Sequence, residues 1–218
     1  MHLPRRLPLR KAAKNKAGRK RSLQRGVPFL GSPDPDAVIG LVVGLGNPGR
    51  KYSRTRHNYG RMAAEAVIAR SEVIATGKWP DGRLSLVSSR GRRFLVLIPE
   101  TYMNLSGRAV SRTMERYKLE HGRVLVLHDD IDLPPGEVRV KLGGGTAGHR
   151  GLASIVQETG DNGFYRIRIG VGRPPDGVDP ADYVLSPAAG GRDCVAGEGV
   201  GPAAEEAIGV ATGAKDGG

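Results

Sequence analysis

VVGLGNPG, residues 42–49, closes an apolar run that begins at residue 38 and carries the spelling Gly44-x-Gly46-x-x-Gly49. A short run of this kind, rich in Val, Ile and Leu, suits a strand buried on both faces of a sheet. Three more follow it: FLVLI (94–98), VLVL (124–127) and IRIGV (167–171). Between them Tyr59, Met62, Ala63, Ala66 and Val67 recur at helical spacing, as do Val110, Thr113, Met114 and Tyr117, and GLASIVQET (151–159) makes a third helix. LSLVSS (84–89) and EVRVKL (137–142) alternate and add edge or antiparallel strands. The expected fold is therefore α/β, a single globular domain with a mostly parallel (mixed) central sheet flanked by helices.

The glycine spelling matches a dinucleotide-binding fingerprint, which needs a helix starting inside the motif and an acid about twenty residues on, at the end of the second strand. Neither condition is met well. RKYSRTRHN follows Gly49, polar and without an apolar face, and the nearest acid, Glu65, falls inside a predicted helix. A tight turn explains the glycines but not Asn47. In open parallel sheets ligands bind beyond the carboxyl ends of strands. Asn47 follows one such end, PETYMN (99–104) with Asn104 follows a second, and Asp129 stands at a third.

His57 opens the helix after the first loop and can reach the same rim. Near a helix N-terminus an imidazole stays neutral, and a carboxylate behind it fixes its tautomer and stabilises the imidazolium that forms. His57 with Asp129 thus reads as base and orienter. The amides of Asn47 and Asn104 can donate to a carbonyl oxygen or to the oxyanion formed when water adds to it. Together they describe water-mediated hydrolysis of an acyl compound. Open alternatives are a capping role for His57, a turn-initiating Asn47, and Mg²⁺ on the acids of HDDID, Asp129, Asp130 and Asp132. No residue set has zinc spacing and there is no GxSxG, so neither a metal nor a serine nucleophile is expected.

Charge and cysteine narrow the classes further. The chain of 218 residues carries a net charge of +12. Residues 1–37 hold ten Lys and Arg against Asp34 and Asp36, so the remainder is only mildly basic. A basic surplus favours a polyanionic partner such as RNA. Residues 1–37 lack sustained periodicity and read as a basic, disordered N-terminal extension, with a mitochondrial or plastid transit peptide as the alternative. Residues 38–185 form the α/β domain. Residues 186–218 form a Gly/Ala-rich segment with one short helix around 202–210. The single cysteine, Cys194, has no neighbouring histidine and cannot form an internal disulfide, which fits a reducing compartment. No apolar run approaches membrane-span length, so a soluble protein with no membrane partner is expected.

In four stretches the sequence resembles the bacterial-type peptidyl-tRNA hydrolases: GLGNPGRKYSRTRHNYG (44–60), PETYMNLSGRAV (99–110), HDDIDLPPGEVRVKLGGGTAGHRGLASI (128–155) and FYRIRIGVGRP (164–174). The resemblance implies a cytoplasmic, cofactor-free, monomeric enzyme. It would cleave the ester between a peptide and the 3′ ribose of tRNA, with the tRNA acceptor end and the nascent peptide as its partners. It implies His57 as the base that activates water, Asp129 as its partner, Asn47 and Asn104 as contacts to the peptide and the tRNA end, and Met103 and Tyr52 as pocket lining. One departure stands out. The family usually has His-Asn-Gly where this chain has His149-Arg150-Gly151. Arg150 cannot accept a hydrogen bond and suits a phosphate or the tRNA terminus. The alternative within the resemblance is a catalytically weak relative that binds structured RNA, as in splicing.

Overall fold

The computed structural model describes residues 30–34, 37, 39–187 and 199–213. The expectations for residues 1–29, for Cys194 and for the Gly/Ala-rich run up to residue 198 lie outside the described residues. The strands are β1 (Leu41–Gly44), β2 (Glu72–Trp79), β3 (Gly82–Ser89), β4 (Arg92–Pro99), β5 (Val124–Asp130), β6 (Val138–Leu142) and β7 (Tyr165–Gly170). The helices are α1 (Tyr59–Ala69), α2 (Ser106–Tyr117), α3 (Arg150–Thr159), α4 (Pro180–Leu185) and α5 (Gly201–Thr212).

All seven strands form one sheet in the order β2-β3-β4-β1-β5-β7-β6. Its centre, β4-β1-β5-β7, is parallel. Both flanks are antiparallel, β2 and β3 on one side and β6 on the other. The parallel strands are the four continuous apolar runs, because crossover helices cover them on both faces. Side chains alternate accordingly. Val42, Val96, Leu125 and Ile167 pack under α1 and α5, whereas Leu41, Val43, Leu95 and Val126 pack under α2 and α3.

The packed unit extends beyond residues 38–185 at both ends. Ala203, Ala204, Ala207, Ile208 and Ala211 of α5 are buried in the core, where they join Ala63, Ala64 and Val67 of α1 in one apolar cluster. On the other side Leu30 packs against the second apolar cluster. The Asp34 carboxylate accepts from the backbone and guanidinium of Arg93 on β4, at 2.8 and 2.9 Å. The basic extension and the Gly/Ala-rich segment therefore each contribute residues that the sheet packs against.

Two elements have no counterpart in the sequence reading. β2 is an edge strand whose residues are mostly exposed, with a bulge between Val73 and Ala75. Its solvated face carries no apolar alternation to detect. α4 is a single short helix capped by Asp179, whose carboxylate accepts from the Ala181 N–H at 2.7 Å, with Pro180 in the first turn. Asp followed by Pro is a helix-start signal in its own right.

The helix after the glycine turn begins only at Tyr59, so no helix N-terminus lies inside the glycine motif. Gly49 takes φ +99°, where a side chain would be strained. Gly60 meets the backbone of Leu127 on β5 so closely that a Cβ would collide with its carbonyl.

Candidate active site

The carboxyl ends of β1, β4 and β5 open onto one cavity of about 700 Å³. Asn47, Tyr52, His57, Met103, Asn104, Asp129 and Arg150 all line it. Each residue singled out from the sequence is thus at the same rim, delivered by three strand ends, the 3₁₀ turn Arg56–Asn58 before α1, and the start of α3.

At its centre Asp129 is buried at the end of β5. His57 Nδ1 lies 3.0 and 3.1 Å from its two carboxylate oxygens. A carboxylate accepts, so Nδ1 carries the proton and Nε2 is left as a lone-pair nitrogen in a ring that borders the cavity. Burial alone would raise the Asp129 pKa. The adjacent imidazoles of His57 and His149 outweigh it and hold the carboxyl well below the usual carboxylate range.

His149 is the component that the sequence reading passed over. It caps α3: its Nδ1 accepts from the N–H groups of Gly151 at 3.1 Å and Leu152 at 3.3 Å. Nδ1 is therefore unprotonated, and Nε2 carries the hydrogen that it donates to Asp129 Oδ1 at 3.1 Å. The available signal was a histidine two residues before the apolar helical run 151–159, a position that by itself suggests only a cap.

The nitrogens and oxygens of His57, Asp129 and His149 lie within 4.8 Å of one another, close enough for a cation. The hydrogen bonds argue otherwise. A cation on His149 Nε2 would leave that ring with no proton on either nitrogen unless the cap of α3 were broken.

Asn47 is held firmly. Its backbone N–H donates to Asn58 Oδ1 at 2.8 Å, and Asn58 Nδ2 donates back to the Asn47 carbonyl at 3.0 Å. Its side-chain Oδ1 accepts from the Met103 N–H at 2.8 Å. That leaves the Asn47 Nδ2 as the free donor. Asn104 is exposed beside the buried Met103, in the 3₁₀ turn Met103–Leu105 that precedes α2.

A model of the peptidyl-tRNA hydrolase family matches residues 41–211. The chain belongs to that family. It is 46% identical over 149 residues to the peptidyl-tRNA hydrolase of Geotalea uraniireducens, an alignment covering 68% of this chain and 78% of the relative. It is 48% identical over 146 residues to that of Geobacter sulfurreducens, covering 67% and 75%. Among solved structures, peptidyl-tRNA hydrolase from Acinetobacter baumannii superposes with a TM-score of 0.66 at 34% identity, covering 79% of this chain and 84% of that one.

As a peptidyl-tRNA hydrolase family member the chain shows two further groups at the site. Basic residues line the cavity on the β6–β7 side: Lys141, Arg166 and Arg168. Arg166 is buried and clamps the glycine loop, donating to the carbonyls of Gly144 and Gly145 at 2.6 Å each. Arg168 pairs with Asp130 at 2.7 Å. Opposite them, α4 lines the cavity with Pro180, Ala181, Val184 and Leu185. Arg56, in the 3₁₀ turn beside His57, is engaged with α4. It donates to Ser186 Oγ at 2.7 Å and the Pro187 carbonyl at 2.9 Å and stacks on the Tyr183 ring at 4.1 Å.

Proposed function

We propose that this peptidyl-tRNA hydrolase family member cleaves the ester between the peptide carboxyl and the 3′ ribose of tRNA with water activated by His57. The observation that carries the assignment of roles is the His57 Nδ1–Asp129 hydrogen bond, which leaves Nε2 unprotonated toward the cavity. Nε2 takes a proton from water as the water oxygen attacks the ester carbonyl. The oxyanion is met by Asn47 Nδ2, whose own oxygen is tied to the Met103 N–H and so cannot swing round. When the tetrahedral intermediate collapses, the ribose oxygen leaves with the proton held on His57. Asp129 stabilises the imidazolium between the two steps.

An aminoacyl-type ester is already activated, so no covalent intermediate is required. Asn104, Tyr52 and Met103 border the peptide and terminal-nucleoside side, and Arg150 at the start of α3 offers a guanidinium with no protein partner among the described residues. It suits a phosphate or the tRNA terminus. Among the described residues no helix is long and apolar enough to cross a membrane, and we place the enzyme in the cytoplasm as a monomer.

A positioned base contributes typically ~10²–10⁴ in rate. His57→Ala should therefore lower single-turnover hydrolysis of an N-blocked aminoacyl-tRNA by about that factor while tRNA affinity changes little. More than about a tenth of normal activity in the variant rejects His57 as the base. No activity in the unmodified protein moves the assignment to RNA binding alone.

A further inference from the structure

Two imidazoles share the Asp129 carboxylate, and they are not equivalent. His57 uses one nitrogen on Asp129 and keeps the other for the cavity. His149 uses both: Nδ1 is filled by two backbone N–H groups of α3, and Nε2–H is committed to Asp129 Oδ1. The tautomer of His149 is thus dictated by the backbone of a helix start, and its ring is a fixed N–H donor rather than a proton-transfer group. The two rings lie 4.9 Å apart, tilted by 49°.

We propose that His149 is a positioning residue for hydrolysis: its helix-locked N–H holds Asp129 and withdraws negative charge from it, which keeps His57 a weaker base than an unshared carboxylate would make it. This inference rests on the reading of His57 as the base. The physical ground is that a hydrogen bond to the charged form of a carboxylate stabilises that form and dilutes its pull on a neighbouring proton. With the donor gone, Asp129 would bind the protonated His57 more tightly, and His57 would stay protonated, and idle, to higher pH.

The other charged or titratable groups around His57, with Lys141, Arg166 and Arg168 on the far wall of the cavity, are common to the parent and the test variant. On β5, His128 is buried and Asp130 is neutralised by Arg168. In the 3₁₀ turn itself Arg56 is engaged with α4. On α4, Asp179 is occupied in capping. On α1, Arg61 is paired with Glu65. Arg150, beside His149, borders the cavity and remains unchanged in the test.

The test is His149→Asn, because asparagine can still cap α3 through its side-chain oxygen but is too short to reach Asp129. His149→Ser serves the same purpose if the first variant does not fold. The acid limb of kcat/KM against pH should move up by about half a unit or more, and the His57 ring, followed by NMR titration, should move with it. Thermal stability should be close to that of the parent. An unmoved His57 titration in the folded variant overturns the proposal, whatever the activity. A moved titration with an unmoved rate profile would instead show that the coupling exists and that His57 is not the base, a result that His57→Ala reports independently.

Discussion

His128 sits one residue before Asp129, and its Nδ1–H donates to the Asp129 carbonyl at 2.8 Å while its ring lies edge-on to His149 at 5.1 Å. Burial, with His149 adding to it, pushes its pKa down from 6.5 to about 3. The unfolded chain therefore binds a proton below pH 6.5 that the folded chain refuses. Stability is complete above that pH and falls as the pH is lowered toward 3, by about 2 kcal/mol at pH 5. Asp129 adds almost nothing to the loss at pH 5, since the contribution of a depressed carboxyl is lost only as the pH falls through the normal carboxylate range and below it. Urea unfolding at pH 7.5 and pH 5 should show the difference, and His128→Gln should flatten it; an equally steep fall in the variant would contradict the assignment. At this scale the sequence was informative wherever a polar residue stood at the end of an apolar strand, as Asn47 and Asp129 do. His149 was illegible because its role depends on a neighbour twenty positions away, brought close only by the return of the chain from β5 to α3.

α4 shows how an element is placed by contacts that its own sequence does not announce. Six residues are too few to form a stable helix alone. It is tied by Tyr183, whose hydroxyl donates to the Val171 carbonyl at 2.8 Å, and by Arg56 at its C-terminal carbonyls, where a cation is favoured. A bridge between Thr55 and Pro187 completes the attachment. Arg56→Ala should release the element while leaving the sheet intact: amides of 181–186 should exchange at least ~10-fold faster, with β5 unchanged. KM should rise several-fold, because α4 forms the apolar wall of the cavity. Unchanged exchange in 181–186 would mean that Tyr183 and the Thr55–Pro187 bridge hold the helix without Arg56. The elements missed from the sequence, β2 and α4, are mostly exposed and carry no clear apolar period; β6 is just as exposed, but its alternation marked it, and the parallel strands announced themselves because both of their faces are covered.

In the whole molecule, the helix near the C-terminus and the residues before β1 belong to the same packed body as the site. α5 was expected as a short helix, but its packing was not, because alanine and glycine carry no amphipathic signal strong enough to mark a buried face. Their small size is what lets α5 approach α1 closely, with Ala203, Ala207 and Ala211 fully buried. Ending the chain before Gly199 would uncover that face of α1, a loss of several kcal/mol by area. The melting temperature should fall by roughly 10 °C or more, and an unchanged value would show α5 to be dispensable. Elsewhere in the same body, Gly60 rests directly on the Leu127 carbonyl, three residues after the base and two before its carboxylate partner. The gap between His57 and Asp129 is consequently a dimension of the main chain, gauged at a point with no movable parts. Core side chains can be exchanged over evolutionary time, and surface helices redecorated, without retuning the dyad. A lineage that placed any side chain at residue 60 would have to rebuild the gap itself.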